Sequence, residues 1–542
     1  MRPTFLDPMV RAYDRVAAQT AGRLLSGPRF AGALVVYILL IALIKGQLYL
    51  GGLGHDADQL VLSQAFQLGY DNRNPPLFTW LVIAATRALG PGLGAVLAVK
   101  SLTMLALYGF LYLAAQRALR DPALAVLAAL APFAMYEVGL WLAIKYSNTA
   151  ALAALCAASV YVLLRLGESG RTFWYASFGI VAGLGLLAKY NYAIILVALV
   201  LASQFDAGFR ANLRDRRILL SLGLALAIIA PHAYWMVTAA PDYGEVATGR
   251  FGMGSGLPWG ERLTLGALAG IKATLNMLLP LALGVPFLAW HAWRRPRSSA
   301  GSSAGSSDFA ERAGDWPGRR YFRLFGIYLL ICTVAVFALV AASGAVQVRG
   351  HYLFIFLPFP IWLFAWLQGL RPSRVALNRI ALAFALLALA SPAIMATKYL
   401  SHPFRDRAAP YNLPYEALAE RLREAGFTRG TLYAHDFPYT LSGNLRPYLP
   451  DTRILGTNTP HFTPPENEFP GACLLLWARH RKSTHDGRMI AVAGRLFGFD
   501  AAVDGLLANS MLSETEIEIA GGRGRTQGFA YRLFPDGAGT CR

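Results

Sequence analysis

Residues 30–50 read FAGALVVYILLIALIKGQLYL, and residues 54–80 read GHDADQLVLSQAFQLGYDNRNPPLFTW. The first stretch is long and apolar enough to cross a bilayer. It has a basic flank like a signal peptide but no small-x-small cleavage site before Gly54, so it reads as a retained anchor. The second stretch changes character at once, with two aspartates, a run of amides and a Pro-Pro. Leu60, Ser63, Gln64, Gln67 and Leu68 recur at helical spacing. Asp56 and Asp58 sit just before that helix begins, where a carboxylate meets the positive end of its dipole. In a soluble protein such acids are ordinary helix caps; after a membrane span they are candidates for chemistry.

The membrane reading extends along the chain. Of 542 residues, 55% are hydrophobic and 15% charged, with a mean hydropathy of +0.42, too apolar for an ordinary soluble domain. Further apolar runs cover 93–115, 122–142, 147–166, 172–187, 190–204, 217–238, 264–290, 321–342, 352–369 and 376–397. The expectation is an α-helical polytopic membrane protein with about 11–13 transmembrane helices.

The net charge of +19 does not point to nucleic acid, since no recognition motif accompanies it. Arginines gather at 2–29, at Arg117 and Arg120, at Arg210, Arg214, Arg216 and Arg217, at 294–323, and at Arg371, Arg374 and Arg379. Threading the spans puts every cluster on one side, the cytoplasm by the positive-inside rule. Residues 1–29 are then cytoplasmic, 30–400 form the membrane domain, and 292–320 are a basic cytoplasmic linker carrying the low-complexity SSAGSSAGSS. The loops at 51–92, 239–263 and 343–351 lie on the outer face. So does the region 401–542, where helical stretches (YEALAERLREAG, MIAVAGRLFGF) alternate with short apolar strands (TLYAHDF, CLLLW, FAYRLF) as in a small α/β domain. Cys156 and Cys332 fall in spans and read as small apolar residues. Cys473 and Cys541 fall in the outer domain, where the compartment permits a disulfide; the sequence leaves bridged and free forms both open.

Polar residues beside span ends are the informative ones in such a protein. Besides Asp56 and Asp58 they are Lys189 in LLAKYNYA, Arg250 in the glycine-rich PDYGEVATGRFGMGSG, and Arg349, His351 and Tyr352 in QVRGHYLF. Each has a plainer reading: Lys189 and Arg349 as interfacial cations, Arg250 as a loop cation, His351 and Tyr352 as part of an aromatic belt. Together they map to one membrane face, acids on the first loop and cations on the others. A carboxylate that takes a proton from an attacking hydroxyl, beside cations that stabilise a departing phosphate, suits group transfer from a phosphate leaving group. No phosphate loop of the GxxxxGK[ST] type, no HExxH, no CxxC and no nucleophile-elbow motif is present. His232 in PHAYW reads as structural.

The layout HDADQLVLSQAFQLGYDNRNPPLFTWL (55–81), KYSNTAALAAL (145–155), GLGLLAKYNYA (183–193), PHAYW (231–235) and RGHYLFIFLP (349–358) resembles the bacterial glycosyltransferase 39 group, with its lipid A aminoarabinose transferases and protein O-mannosyltransferases. The resemblance spans roughly residues 30–400. It implies a GT-C fold in the bacterial inner membrane, with an active site facing the periplasm. It also implies a polyprenyl-phosphate-linked sugar donor and a lipid acceptor such as lipid A or lipopolysaccharide. Asp56 matches the family's leading acid and is the expected general base, with Asp58 as neighbour or substitute. Lys189 matches a residue associated with the donor phosphate, and Arg250, Arg349, His351 and Tyr352 are its expected companions. Family members often carry Lys or His before the Pro-Pro; here Asn74 stands there, preceded by Arg73, so Arg73 is a further candidate phosphate ligand. DADQLVLSQ is similar to rhizobial-type members, some of which transfer galacturonic acid to lipopolysaccharide. One displacement implies inversion. No cofactor is required; a divalent cation between Asp56 and Asp58 stays possible. The rival class is a flippase or transporter for polyprenyl-phosphate lipids or anionic solutes. It fits less well, because no internal repeat is evident and the polar groups gather at one face rather than at mid-bilayer.

Overall fold

In hydrocarbon a chain can satisfy its backbone polar groups only within helices or closed barrels, and every apolar run of this chain is helical. A computed structural model describes residues 7–70, 74–239, 256–293, 316–401, 408–459, 462, 464, 471–479, 512–519 and 524–534, with backbone alone at 7–8, 289–293, 351 and 512. The helices are α1 (Asp7–Leu24), α2 (Gly27–Leu43), α3 (His55–Leu62), α4 (Leu77–Leu89), α5 (Leu93–Leu119), α6 (Pro122–Leu130), α7 (Ala143–Lys145), α8 (Asn148–Ser169) and α9 (Thr172–Ala188). They continue with α10 (Tyr192–Ser203), α11 (Ala207–Leu213), α12 (Ile218–Thr238), α13 (Trp259–Trp293), α14 (Arg319–Ser343), α15 (Phe359–Gly369), α16 (Arg374–Leu400), α17 (Tyr415–Glu424) and α18 (Leu441–Leu445).

Among the described residues eight helices are long and apolar enough to span a membrane, or up to 10 if each of two bent pairs is one span. The bent pairs are Pro122–Ala134 with Glu137–Lys145, at 77°, and Tyr192–Ser203 with Ala207–Leu213, at 118°. The eleventh apolar run became α9, a helix of 17 residues. A π-helical turn, Glu137–Leu142, follows the first break, and Asp206 caps α11 after the second by accepting from Gly208 and Phe209. A small residue sets one close crossing: a side chain at Gly179 would overlap the backbone of Ser221, so α9 and α12 approach where glycine allows it. Leu219, Leu222 and Leu226 on α12 stay more than half exposed, as expected of a lipid-facing stripe. Among the described residues some of these arginines are paired, Arg320 with Asp206 and Arg379 with Asp14.

The C-terminal domain carries a five-stranded mixed sheet of β1 (Gly430–Ala434), β2 (Thr452–Gly456), β3 (Ala472–Ala478), β4 (Leu512–Glu518) and β5 (Thr526–Phe534). The strand order is β2-β1-β3-β5-β4. β1 is parallel to β2 and β3, while β5 is antiparallel to β3 and β4. Period-two alternation sends Leu432, Leu474, Leu476 and Phe529 to the face covered by Leu418 and Leu422 of α17, and Tyr433, Leu475 and Trp477 to the other. The sequence-predicted helix in MIAVAGRLFGF lies outside the described residues. Strands β2 and β4 are additions: one is five residues long, and the other alternates with exposed glutamates. Cys473 is disulfide-bonded, Cys541 lies outside the described residues, and Cys156 and Cys332 are free and buried.

This domain is fastened to the loop after the first span. Asn444 accepts from Gly52 N at 2.7 Å and donates to Gly52 O at 3.2 Å. Gln64 reads the backbone of Ile454 twice, each bond 2.8 Å. Those side-chain bonds also explain why α3 ends at Leu62, short of the predicted helix. Ser63 and Gln64 turn back to the carbonyls of Leu60 and Val61, diverting acceptors that a longer helix would use.

Candidate active site

Gly54, at φ 52°, opens α3 and places His55, Asp56 and Asp58 inside its first turn rather than ahead of it. Residues i and i+2 of a helix point about 200° apart, so the two aspartates face different surroundings. Asp56 faces the bundle and is wholly buried. Its carboxylate meets Lys45, Lys100 (2.9 Å) and the Ser147 hydroxyl (2.7 Å). Burial alone pushes this carboxyl up, but Lys100 and Lys45 outweigh burial and hold it down at about 2.

Asp58 faces the other way. One of its oxygens lies 3.3 Å from His55 Nδ1, and the other accepts from Asn458 Nδ2 of the C-terminal domain at 3.2 Å. Asp58 and His55 border a cavity completed by Gln59 and Leu62 of α3, Tyr70, Asn74 and Pro75 of the following loop, Thr79 of α4, Asn148 of α8, and Thr459. Gln59 is fixed by Thr79 (2.8 Å) and Asn148 (3.4 Å). Amide and hydroxyl groups converging on one cavity offer donors and acceptors matched to sugar hydroxyls. A second cavity is lined by Arg319, Arg320, Arg323 and Asp206. Its one acid is already tied to Arg320 in a bidentate pair, which leaves no carboxylate there to accept a proton.

The cationic groups stand next to the first cavity. The His55 and Tyr146 rings lie 6.3 Å apart, and Tyr146 donates to Glu137 at 3.0 Å. Glu137 feels the charges of Lys145 and Lys189, and Tyr146 that of Arg349. Lys189 is buried, donates to Thr149 at 2.9 Å, and sits 5.5 Å from the centre of the Tyr352 ring. Asn191 ties this wall together through the Tyr352 carbonyl at 3.1 Å. A side chain at Gly350 would overlap the Glu137 carboxylate, so glycine there lets Glu137 reach the cluster. His232 has both ring nitrogens engaged, by Leu68 O and the Tyr190 hydroxyl.

The two aspartates part company. Asp56, expected as general base, is enclosed by two ammonium groups, while Asp58 borders the cavity. Asp56 and Asp58 have different partners, Lys45, Lys100 and Ser147 for the first, His55 and Asn458 for the second; among the described residues no group of three or more His, Cys, Asp or Glu could hold a metal. Lys189, Arg349 and Tyr352 belong to one wall, whereas Arg73, Arg250 and the His351 side chain lie outside the described residues. The sequence reading missed His55, Gln59, Asn148 and Glu137, along with Lys45 and Lys100. The two lysines had a signal: a lone cation inside an apolar run needs a partner.

A family profile for dolichyl-phosphate-mannose-protein mannosyltransferases matches residues 73–235. Two relatives from Rhizobium johnstonii are each 26% identical. The lipopolysaccharide core galacturonosyltransferase RgtB aligns over 76% of this chain and 79% of its own length. RgtA, of the same description, aligns over 79% and 82%. The crystal structure of ArnT from Cupriavidus metallidurans bound to undecaprenyl phosphate superposes with a TM-score of 0.57 at 13% identity, covering 93% of this chain and 98% of that one. Bundle, sheet domain and matches define a multi-pass membrane glycosyltransferase of the GT-C fold. Over these regions the chain is similar to enzymes of glycosyltransferase family 39.

Proposed function

We propose that this enzyme transfers a sugar from a polyprenyl-phosphate donor to a glycolipid acceptor of the lipopolysaccharide kind, at the periplasmic face of the bacterial inner membrane. The carrying observation is the Asp58–His55 pair at the rim of an amide-lined cavity, with Lys189 and Arg349 in the adjoining wall. The donor class is supported by the fold shared with ArnT, whose structure holds undecaprenyl phosphate. The acceptor class is supported by the two lipopolysaccharide core transferases, and the sidedness by the arginine clusters, which threading of the spans assigns to the cytoplasmic side.

An acceptor hydroxyl in the cavity gives its proton to the Asp58–His55 pair as its oxygen bonds to the anomeric carbon. The bond from that carbon to the phosphate oxygen breaks. The phosphate leaves with the electron pair, its charge met by Lys189 and Arg349. One displacement inverts the anomeric centre. Asp56 pairs with Lys45 and Lys100 behind the helix that presents Asp58. No step needs a metal ion.

The test is Asp58→Asn in membranes supplied with polyprenyl-phosphate galacturonic acid, tried first because both relatives are named galacturonosyltransferases. Turnover should fall by about 10²–10⁴-fold with the melting temperature kept. Wild-type turnover in D58N removes Asp58 from the chemistry.

A further inference from the structure

Asp58 is presented by the membrane domain, but its second oxygen is held from outside that domain. Asn458 lies on the turn after β2, 400 residues away in the chain, and its Nδ2 donates to Asp58 Oδ1 at 3.2 Å. That turn is not a loose loop. Asp436, which is buried, accepts from Asn458 N at 2.9 Å with Oδ2. It accepts from Ser442 N and Oγ at 2.9 and 2.6 Å with Oδ1. Its own N–H donates to Thr457 Oγ1 at 2.9 Å. A side chain at Gly456 would overlap both Asp436 and Ser442, so glycine lets the strand end pass this close. Gln64 pins the preceding strand to the loop after α3, and the next residue, Thr459, lines the cavity itself.

We propose that Asn458 is a positioning residue for sugar transfer: through it the C-terminal domain sets the orientation of the Asp58 carboxylate at the cavity. An aspartate has two side-chain torsions, and the His55 contact alone leaves its other oxygen unfixed. The amide donor holds that oxygen in place. It thereby keeps Oδ2 toward the His55 imidazole, whose remaining nitrogen is left for the acceptor proton. The C-terminal domain is then part of the reaction geometry rather than only a cover over it. Misplacement of a catalytic group by even a fraction of an ångström lowers the rate of the chemical step more than substrate affinity.

This inference rests on Asp58 acting in proton transfer, and the experiment separates the two. In the full-length enzyme, Asn458→Ala should lower kcat roughly tenfold to a hundredfold, the loss of one hydrogen bond to a charged group, with the donor KM little changed. Asn458→Asp sets a carboxylate against Asp58, with His55 and Asp436 the other titratable groups nearby. It should move the acid limb of the kcat/KM profile to higher pH. Gln64→Ala is the control: it loosens the same docking without touching Asp58, so it should leave that limb in place. If D58N is inactive while N458A keeps wild-type kcat, the positioning role is wrong and the reading of Asp58 stands. If Q64A reproduces the N458A loss and the N458D limb does not move, Asn458 serves docking alone and the proposal is overturned. If D58N is active, the base assignment has failed first.

Discussion

Lys100 Nζ lies 2.9 Å from one oxygen of Asp56 and 3.1 Å from the other, a bidentate grip inside the bundle, with Lys45 closing on the same carboxylate. Among the described residues neither lysine has another acid in contact. Lys45 also donates to the Ile144 carbonyl at 3.0 Å. The cluster thus joins the end of the first span, α5 and the break before α8 to the helix that carries Asp58.

Removing Asp56 strands two buried ammonium groups. Asp56→Asn should therefore destabilise the protein by about 3–5 kcal/mol, read as a lower melting temperature in detergent. Lys100→Met leaves the Lys45–Asp56 pair intact and should cost less. A D56N protein that melts like wild type but transfers no sugar would falsify this structural role and return Asp56 to the chemistry.

The division of labour between the two aspartates was only half legible in the sequence. Composition and run length fixed the spans, because crossing a bilayer imposes a length and an apolarity that can be counted. The acidic motif was also visible. Its internal assignment was not, because that depends on where α3 starts, and Gly54 starts it one turn earlier than the polar pattern suggests. Once the helix phase is known, Asp56 and Asp58 separate by geometry alone. Asn458 and Thr459 were out of reach for another reason. They arrive from a different domain, through a pairing with Gln64 and Asp58 that no local spacing encodes.

Lys189 offers a test of the cationic wall, since it donates to Thr149 and its ammonium lies 5.5 Å from the centre of the Tyr352 ring. Lys189→Ala should lower kcat/KM for the donor by roughly 10²-fold, the scale of one lost charge-stabilising group, with only a small change in melting temperature. Lys189→Arg should not restore it fully, because a planar fork does not fit where a compact ammonium is buried. Donor titrations that K189A leaves unmoved would take Lys189 out of the leaving-group site.

Gly350→Ala probes the same wall without removing a charge. The new methyl group meets the Glu137 carboxylate, so Glu137 must withdraw from Tyr146 and the lysines. Overpacking of this kind costs about 1–3 kcal/mol. Transfer should fall by about tenfold or more, and Glu137→Gln, which keeps the volume, should fall less. Equal activity of G350A and wild type would show that the Glu137 approach has no bearing on turnover.

Two carboxyls give the stability profile opposite slopes in separate pH windows. Burial pushes Asp436 up to about 6 from an ordinary 3.8, and the Asp58 charge adds to that rise against the donors from Ser442 and Asn458. The folded protein therefore binds a proton there more tightly than the unfolded chain. The stabilisation is complete below about pH 4 and is lost as the pH rises through 6. Its size is on the order of 2–3 kcal/mol. Asp56, held down at about 2, behaves in reverse: its contribution is present above about pH 4 and disappears as the pH falls toward 2. Melting temperatures of the full chain should accordingly drop between pH 4 and pH 6.5. Asp436→Asn should flatten that segment while leaving the acid-side loss below pH 4 unchanged. A wild-type melting temperature that rises steadily from pH 4 to pH 6.5 would contradict the assignment of Asp436 as the group protonated in the fold.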